Sequence, residues 1–308
     1  MRIWLHIGLQ KTGTTAMQAW FARKQGWLAR QGVLYLRPRR DLPACGPLVL
    51  SLRDGTAAER IDAMCATVRD NPGAGDALIS SEDFSCHSPA LARPLIEAFH
   101  GHDLRLLVWL RRQDRLAESL YKQMIKFNGG GPSFEGWLAA GRARALDHHG
   151  LLQAWEREFP ELALHPRIHP EPVEGQPGDS IAAMLIALGR PDLIPDDSAG
   201  HRANVSPRAE LVGIYRGLPG MGRAVRRANR ELMSRHGTAL GGRGDLLAPD
   251  VAAEIMDFHA AGNEAVRARW FSDREDLFDP MPAPMVAAPM PPGIHEELAL
   301  LIRNETSS

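Results

Sequence analysis

Ile3-Trp4-Leu5-His6-Ile7-Gly8-Leu9-Gln10-Lys11-Thr12-Gly13-Thr14-Thr15 is an apolar strand that empties into a loop of glycine and threonine, and Met17, Trp20, Phe21 and Lys24 recur behind it at helical spacing. A glycine-rich turn between strand and helix is a cradle for an anion. Gly8 and Gly13 let the backbone turn tightly with its N–H groups inward, and the following helix offers its unpaired first amides and the positive end of its dipole. The nucleotide-binding pattern GxxxxGK[ST] fits from Gly8 to Gly13, but Thr14 stands where that pattern has its lysine. The cation has moved into the loop, to Lys11. A turn made only for topology needs one or two glycines; a lysine with three threonines close by supplies donors that suit an anionic ligand.

Two further segments end in chemistry. Leu104 to Leu110 is almost wholly apolar, as a strand buried on both faces of a parallel sheet should be, and it runs into Arg111-Arg112-Gln113-Asp114-Arg115-Leu116-Ala117-Glu118-Ser119. A guanidinium fork at a strand end suits a terminal phosphate, and a hydroxyl inside the next helix adds a neutral donor. Asp76 to Ser85 reads as a short strand that delivers Glu82, Asp83 and several hydroxyls at its C-terminal end, with His87 just beyond. Ligands of open parallel sheets sit outside those ends. A carboxylate there can serve as a general base once partial burial lifts its pKa, and the same acids are also common helix caps.

The segment from strand through Lys11-Thr12-Gly13-Thr14-Thr15 to helix resembles the 5′-phosphosulfate loop of sulfotransferases that use 3′-phosphoadenosine-5′-phosphosulfate (PAPS). In that family an arginine at a strand end and a serine eight residues later hold the 3′-phosphate, and Arg111 and Ser119 have that spacing. The resemblance is specific over 3–36 and 104–123, suggestive over 77–85 and general beyond 150. It implies an α/β fold, a single P-loop-like domain with a central parallel sheet flanked by helices. It implies PAPS as co-substrate, with Gln10, Lys11, Thr12, Gly13, Thr14, Thr15, Arg111 and Ser119 binding it. Lys11 and Glu82 would be catalytic, with His87 the rival base, because family members use either a glutamate or a histidine. No metal is implied. The acceptor would be a small molecule, lipid or carbohydrate bearing a hydroxyl or amine. The arginine-lysine-glycine element that grips the 3′-phosphate in animal cytosolic members has no match here. Residues 197–207 and 263–278 resemble later segments of bacterial-type members, although core packing and surface solvation account for them as well.

Composition agrees with an enzyme of this class. The 308 residues are 44% hydrophobic with a formal charge of −1, and the pI is about 6.9. That balance predicts no nucleic-acid partner and confines anion affinity to local clusters such as Arg37-Pro38-Arg39-Arg40 and Arg223, Arg226, Arg227 and Arg230, the latter on one helical face. Cys45, Cys65 and Cys86 lack metal-ligand spacing and read as reduced thiols. With no leader pattern and no apolar run long enough for a membrane span, the expected compartment is the cytoplasm. Oligomeric state stays open.

Alternation of elements predicts strand 2–7, helix 14–24, helix 27–31, strand 33–36, helix 57–69, strand 77–81, and a helix over 115–127 with Leu116, Leu120, Met124 and Phe127 on its buried stripe. Helices over 133–141, 150–158 and 180–188 follow, with an edge strand at 162–168 because of Pro166 and a loop over 169–178. One α/β domain is expected over 1–279. Six prolines between Pro280 and Gly293 then make a linker, with a short C-terminal helix or mobile arm completing 280–308. Two other functional classes stay open: a P-loop small-molecule kinase, which would want a lysine at position 14 and an acid for magnesium, and a catalytically silent anion-binding scaffold.

Overall fold

The computed structural model describes residues 1–37, 42–140, 145–170, 179–196, 206–241, 246–280 and 289–306. Most of the arginine cluster at 37–40, the loop at 171–178, residues 197–205 and the proline tract at 281–288 lie outside them.

The fold is α/β, built on one five-stranded parallel sheet in the order β2-β3-β1-β4-β5. Its strands are β1 (Arg2–His6), β2 (Val33–Tyr35), β3 (Asp76–Ser80), β4 (Asp103–Leu110) and β5 (Ala163–Ile168). In β4 every residue from Leu106 to Leu110 is buried, which explains the unbroken apolar run: helices cover both faces. Pro166 is tolerated because β5 pairs on one side only, opposite Val108. Between β1 and β2 lie α1 (Thr14–Arg23) and α2 (Gln25–Arg30). Trp20 and Phe21 of α1 pack with Trp4, Tyr35, Leu107 and Trp109 of the sheet to form the core beneath the first loop.

Topology fixes where a ligand belongs. From β1 the chain moves toward β2 and β3; from β4 it moves the other way, to β5. The neighbours β1 and β4 therefore flank the switch point, and open parallel sheets take their ligands beyond the C-terminal strand ends at such a point. The two motif-bearing segments of the sequence end on either side of it.

The chain divides into two compact units. The first, Met1–Arg111, Asp147–Ala203 and Gly262–Phe278, contains the sheet. It also holds α3 (Gly46–Arg53), α4 (Ala58–Arg69), α5 (Arg93–Ala98), 3-10 turns at Glu82–Cys86 and Pro89–Ala92 and, after β4, helices from the returning chain. The second is Arg112–Leu146, Asn204–Ala261 and Asp279–Ser308. Its first helices are α6 (Gln113–Asn128) and α7 (Phe134–Ala139); the first unit then resumes with α8 (His148–Glu158) and α9 (Ser180–Ala187). The second unit continues with α10 (Ala209–Arg216), α11 (Gly222–His236) and α12 (Pro249–Phe258); α13 (Ala260–Trp270) runs back into the first, and α14 (Ile294–Thr306) completes the second. Residues 1–279, read from the sequence as one domain, contribute to both units.

Two local expectations are corrected, and one helix is added to them. Helix α3 was not anticipated, because Gly46 and Pro47 at its start mask the short apolar run that follows. In α6 the buried stripe runs through Leu116, Ala117, Tyr121 and Ile125, while Phe127 is 49% exposed. The stripe is rotated because Tyr121 packs its ring against Phe134 and Trp137 of α7. The terminal helix is no loose arm either. Helix α14 buries Ile294, Leu298 and Ile302 and pairs Glu297 with Arg235 and His236 of α11, and Glu305 with Arg227. Part of the arginine face of α11 is thus engaged within the unit, since Arg226 also donates to the Phe127 carbonyl. Among the described residues no helix is long and apolar enough to cross a membrane.

Candidate functional site

The loop between β1 and α1 holds three left-handed residues: Gly8 at φ 75°, Lys11 at 69° and Gly13 at 73°. Glycine adopts this conformation freely; lysine there costs roughly 1–2 kcal/mol. Lys11 is the one non-glycine residue with positive φ among the described residues, and a specific contact holds it. Arg111, beyond the end of β4, donates from Nη1 to the Lys11 carbonyl at 2.7 Å. The two segments singled out by sequence, 100 residues apart, therefore meet at the switch point. Thr12 donates its hydroxyl to the Leu9 carbonyl at 2.7 Å and pins the turn from inside. Gly13 then starts α1 with no acid in its first turn and, among the described residues, no side chain capping the helix, the kind of helix start that suits an anion.

Glu82 follows β3 and closes the other side of the loop. Thr14 donates its hydroxyl to Glu82 Oε2. A methyl group on Gly8 would lie 2.7 Å from both Cα and Cβ of Glu82, so the loop backbone rests directly on this residue. Burial raises the carboxyl pKa; the Thr14 hydrogen bond and the Lys11 charge oppose that rise, and the Asp83 charge adds to it. The alternative role of Glu82 or Asp83 as a cap is taken by Ser81, whose Oγ accepts from the Asp83 amide at 3.3 Å. Glu82 is thus left with a carboxylate at the loop and no capping duty.

The structure gathers Gln10, Lys11, Thr12, Gly13, Thr14, Thr15, Glu82 and Arg111 around this turn, with different orientations. Thr12 and Thr14 are buried with their hydroxyls spent on protein oxygens, whereas Gly13 and Thr15 are exposed. Gln10 reaches Cys86, its Nε2 lying 3.4 Å from Sγ. His87 is half-buried at the end of the Glu82–Cys86 turn, and among the described residues no hydrogen bond joins its ring to the loop. Ser119 lies two turns into α6, buried, in the second unit. Arg112, the neighbour that could have competed with Arg111, pairs with Asp114 and donates to the Asp279 carbonyl.

Several residues escaped the sequence reading. His6 and Gln18 both bond to Ser80 Oγ, at 2.8 and 3.0 Å, in a fully enclosed layer under the loop. Burial drives the His6 pKa down to about 3, so this floor is neutral at pH 7. His148 donates from Nε2 to the Arg111 carbonyl at 2.7 Å and fixes the backbone that carries the guanidinium. At Gly13 the nearest side chains are Ser180 and His169. Lone histidines and serines at wide spacing carry no motif, so only the placement of β5, α8 and α9 reveals them. Set against known proteins, the chain matches no protein-family model and no curated protein.

Proposed function

We propose that this chain is a sulfotransferase that moves a sulfuryl group from PAPS to a hydroxyl or amine of a small-molecule, lipid or carbohydrate acceptor. The observation that carries the reading is the hydrogen bond from Arg111 to the Lys11 carbonyl, which joins the two PAPS-like motifs at the switch point, with Glu82 against the other side of the same loop. PAPS supplies an activated sulfuryl group and leaves as adenosine 3′,5′-bisphosphate, the electron pair of the broken S–O bond staying on the 5′-phosphate. Lys11 sits at the loop apex, where its ammonium counters that growing charge. The first amides of α1 hold the phosphate, so most of the rate enhancement is positional and electrostatic. Glu82, with a pKa raised by burial, accepts the proton that the acceptor hydroxyl gives up. Its bond to Thr14 orients the carboxylate. Thr14 also occupies the position where a kinase loop has its lysine, and its hydroxyl is committed to Glu82, which leaves phosphoryl transfer from ATP without its usual cation. Incubation with PAPS labelled in the sulfuryl group and a panel of hydroxyl and amine acceptors tests the reading. Label should move to an acceptor with the parent protein and about a hundredfold more slowly with Lys11→Ala; label that never leaves PAPS with any acceptor contradicts it.

A further inference from the structure

Gly13 is exposed, and two side chains stand over it. A methyl group on Gly13 would lie 3.2 Å from Ser180 Cβ, 3.5 Å from Ser180 Oγ and 3.7 Å from His169 Cε1. Neither neighbour is there by accident of a loose loop. The backbone N–H of His169 donates to the Leu110 carbonyl at 2.7 Å, which extends the pairing of β5 with β4 one residue past Ile168. His169 therefore stands at a strand end beside the one that carries Arg111. Ser180 is the first residue of α9, held by Asp179, whose Oδ1 accepts from the amides of Ile181 and Ala182 at 3.0 and 2.9 Å. Both side chains are half-buried, and the atoms they bring nearest the residue that opens α1 are Ser180 Oγ and the Cε1 edge of the His169 ring, which lies between the two ring nitrogens.

We infer that His169 and Ser180 form a second wall of the anion site and contact the 5′-phosphate of the bound nucleotide, across from the loop amides and Lys11. This rests on the sulfotransferase reading above. An anion seated at the start of α1 lies against Gly13, and groups within a methyl's reach of Gly13 are at hydrogen-bond distance from its outer oxygens. Two strand ends then converge on the 5′-phosphate, β1 through Lys11 and the loop and β5 through His169, while Arg111 at the end of β4 clamps the loop between them. No sequence pattern connects 11, 111, 169 and 180; the sheet order does.

Two nucleotides that differ by one group test this. Adenosine 3′,5′-bisphosphate carries the 5′-phosphate and adenosine 3′-monophosphate lacks it, and both are titrated calorimetrically into the full chain. His169→Ala should weaken bisphosphate binding about tenfold and leave the 3′-monophosphate within twofold. Ser180→Ala should weaken it about threefold with the same selectivity, and His169→Gln, which keeps a donor, should recover part of the loss. An equal loss for both nucleotides means that His169 merely supports the fold, and an unchanged bisphosphate affinity means that it makes no contact; either overturns the inference. A parent that binds the bisphosphate well while His169→Ala does too sinks this inference alone. A parent that does not prefer the bisphosphate to ATP sinks the sulfotransferase reading and the inference with it.

Discussion

Replacing Glu82 by Gln should abolish most activity while making the protein more stable at neutral pH. Glutamine resembles the protonated carboxyl: it can still accept from Thr14, but it carries no charge into the buried position. Because burial outweighs the Thr14 bond and the Lys11 charge, the folded pKa of Glu82 lies above its ordinary 4.5. The native state therefore binds more protons than the unfolded chain between those two values. Stability contributed by this group is fully present below the ordinary value, falls as pH rises through the folded pKa, and is flat above it. Each tenfold change in the protonation equilibrium is worth about 1.4 kcal/mol, and the glutamine variant is spared that cost. Urea unfolding of parent and variant from pH 4 to 8 should give curves that converge at the acid end and separate at neutral pH, the variant being the more stable. Transfer to the acceptor used by the parent should fall about a hundredfold or more, as for a lost general base, with bisphosphate affinity hardly altered. A variant less stable than its parent at pH 7 would show that the carboxylate is held as a structural anion, and a variant that keeps its turnover would move the base to His87.

Three other perturbations bear on the same geometry. Gly8→Ala should cost about 2–5 kcal/mol by urea unfolding, the sum of a left-handed alanine and a methyl pressed 2.7 Å from the Glu82 Cα; a loss under about 0.5 kcal/mol would mean that loop and acid are not in contact. Lys11→Ala and Lys11→Gly should both lower turnover about a hundredfold by removing the charge, yet the glycine variant should be the more stable by about 1 kcal/mol because it relieves the strain at φ 69°. Equal stability of the two would refute the strained conformation. Trp20→Ala should lose about 3–5 kcal/mol, read by denaturant titration, since the ring is buried against Phe21 and Trp27; a small loss would place α1 off the sheet.

What the sequence made legible was whatever a local period or a short motif encodes. The runs of β1 and β4 announced buried parallel strands, and Lys11-Thr12-Gly13-Thr14-Thr15 announced a cradle, because each depends on neighbours a few positions away. The clamp from Arg111 to Lys11 was not readable, since it needs β1 and β4 side by side, and so was the committed state of Thr12 and Thr14, whose hydroxyls looked available in the motif. The stripe of α6 went wrong for the same reason: amphipathic spacing admits several rotations, and Tyr121 against Phe134 and Trp137 selects one of them. His6, His148 and His169 each stand alone in the sequence and acquire meaning from a partner on another element.

The central claim is that this site takes a nucleotide with both a 3′- and a 5′-phosphate, and thermal unfolding with and without ligand tests it without knowledge of the acceptor. Adenosine 3′,5′-bisphosphate at about a hundred times its Kd should stabilise the chain by roughly 2.7 kcal/mol, ATP with magnesium should do far less, and Arg111→Ala should erase most of the difference. Equal stabilisation by the two nucleotides, or an Arg111→Ala protein that keeps the full preference, would contradict the assignment and return the chain to the kinase or scaffold class.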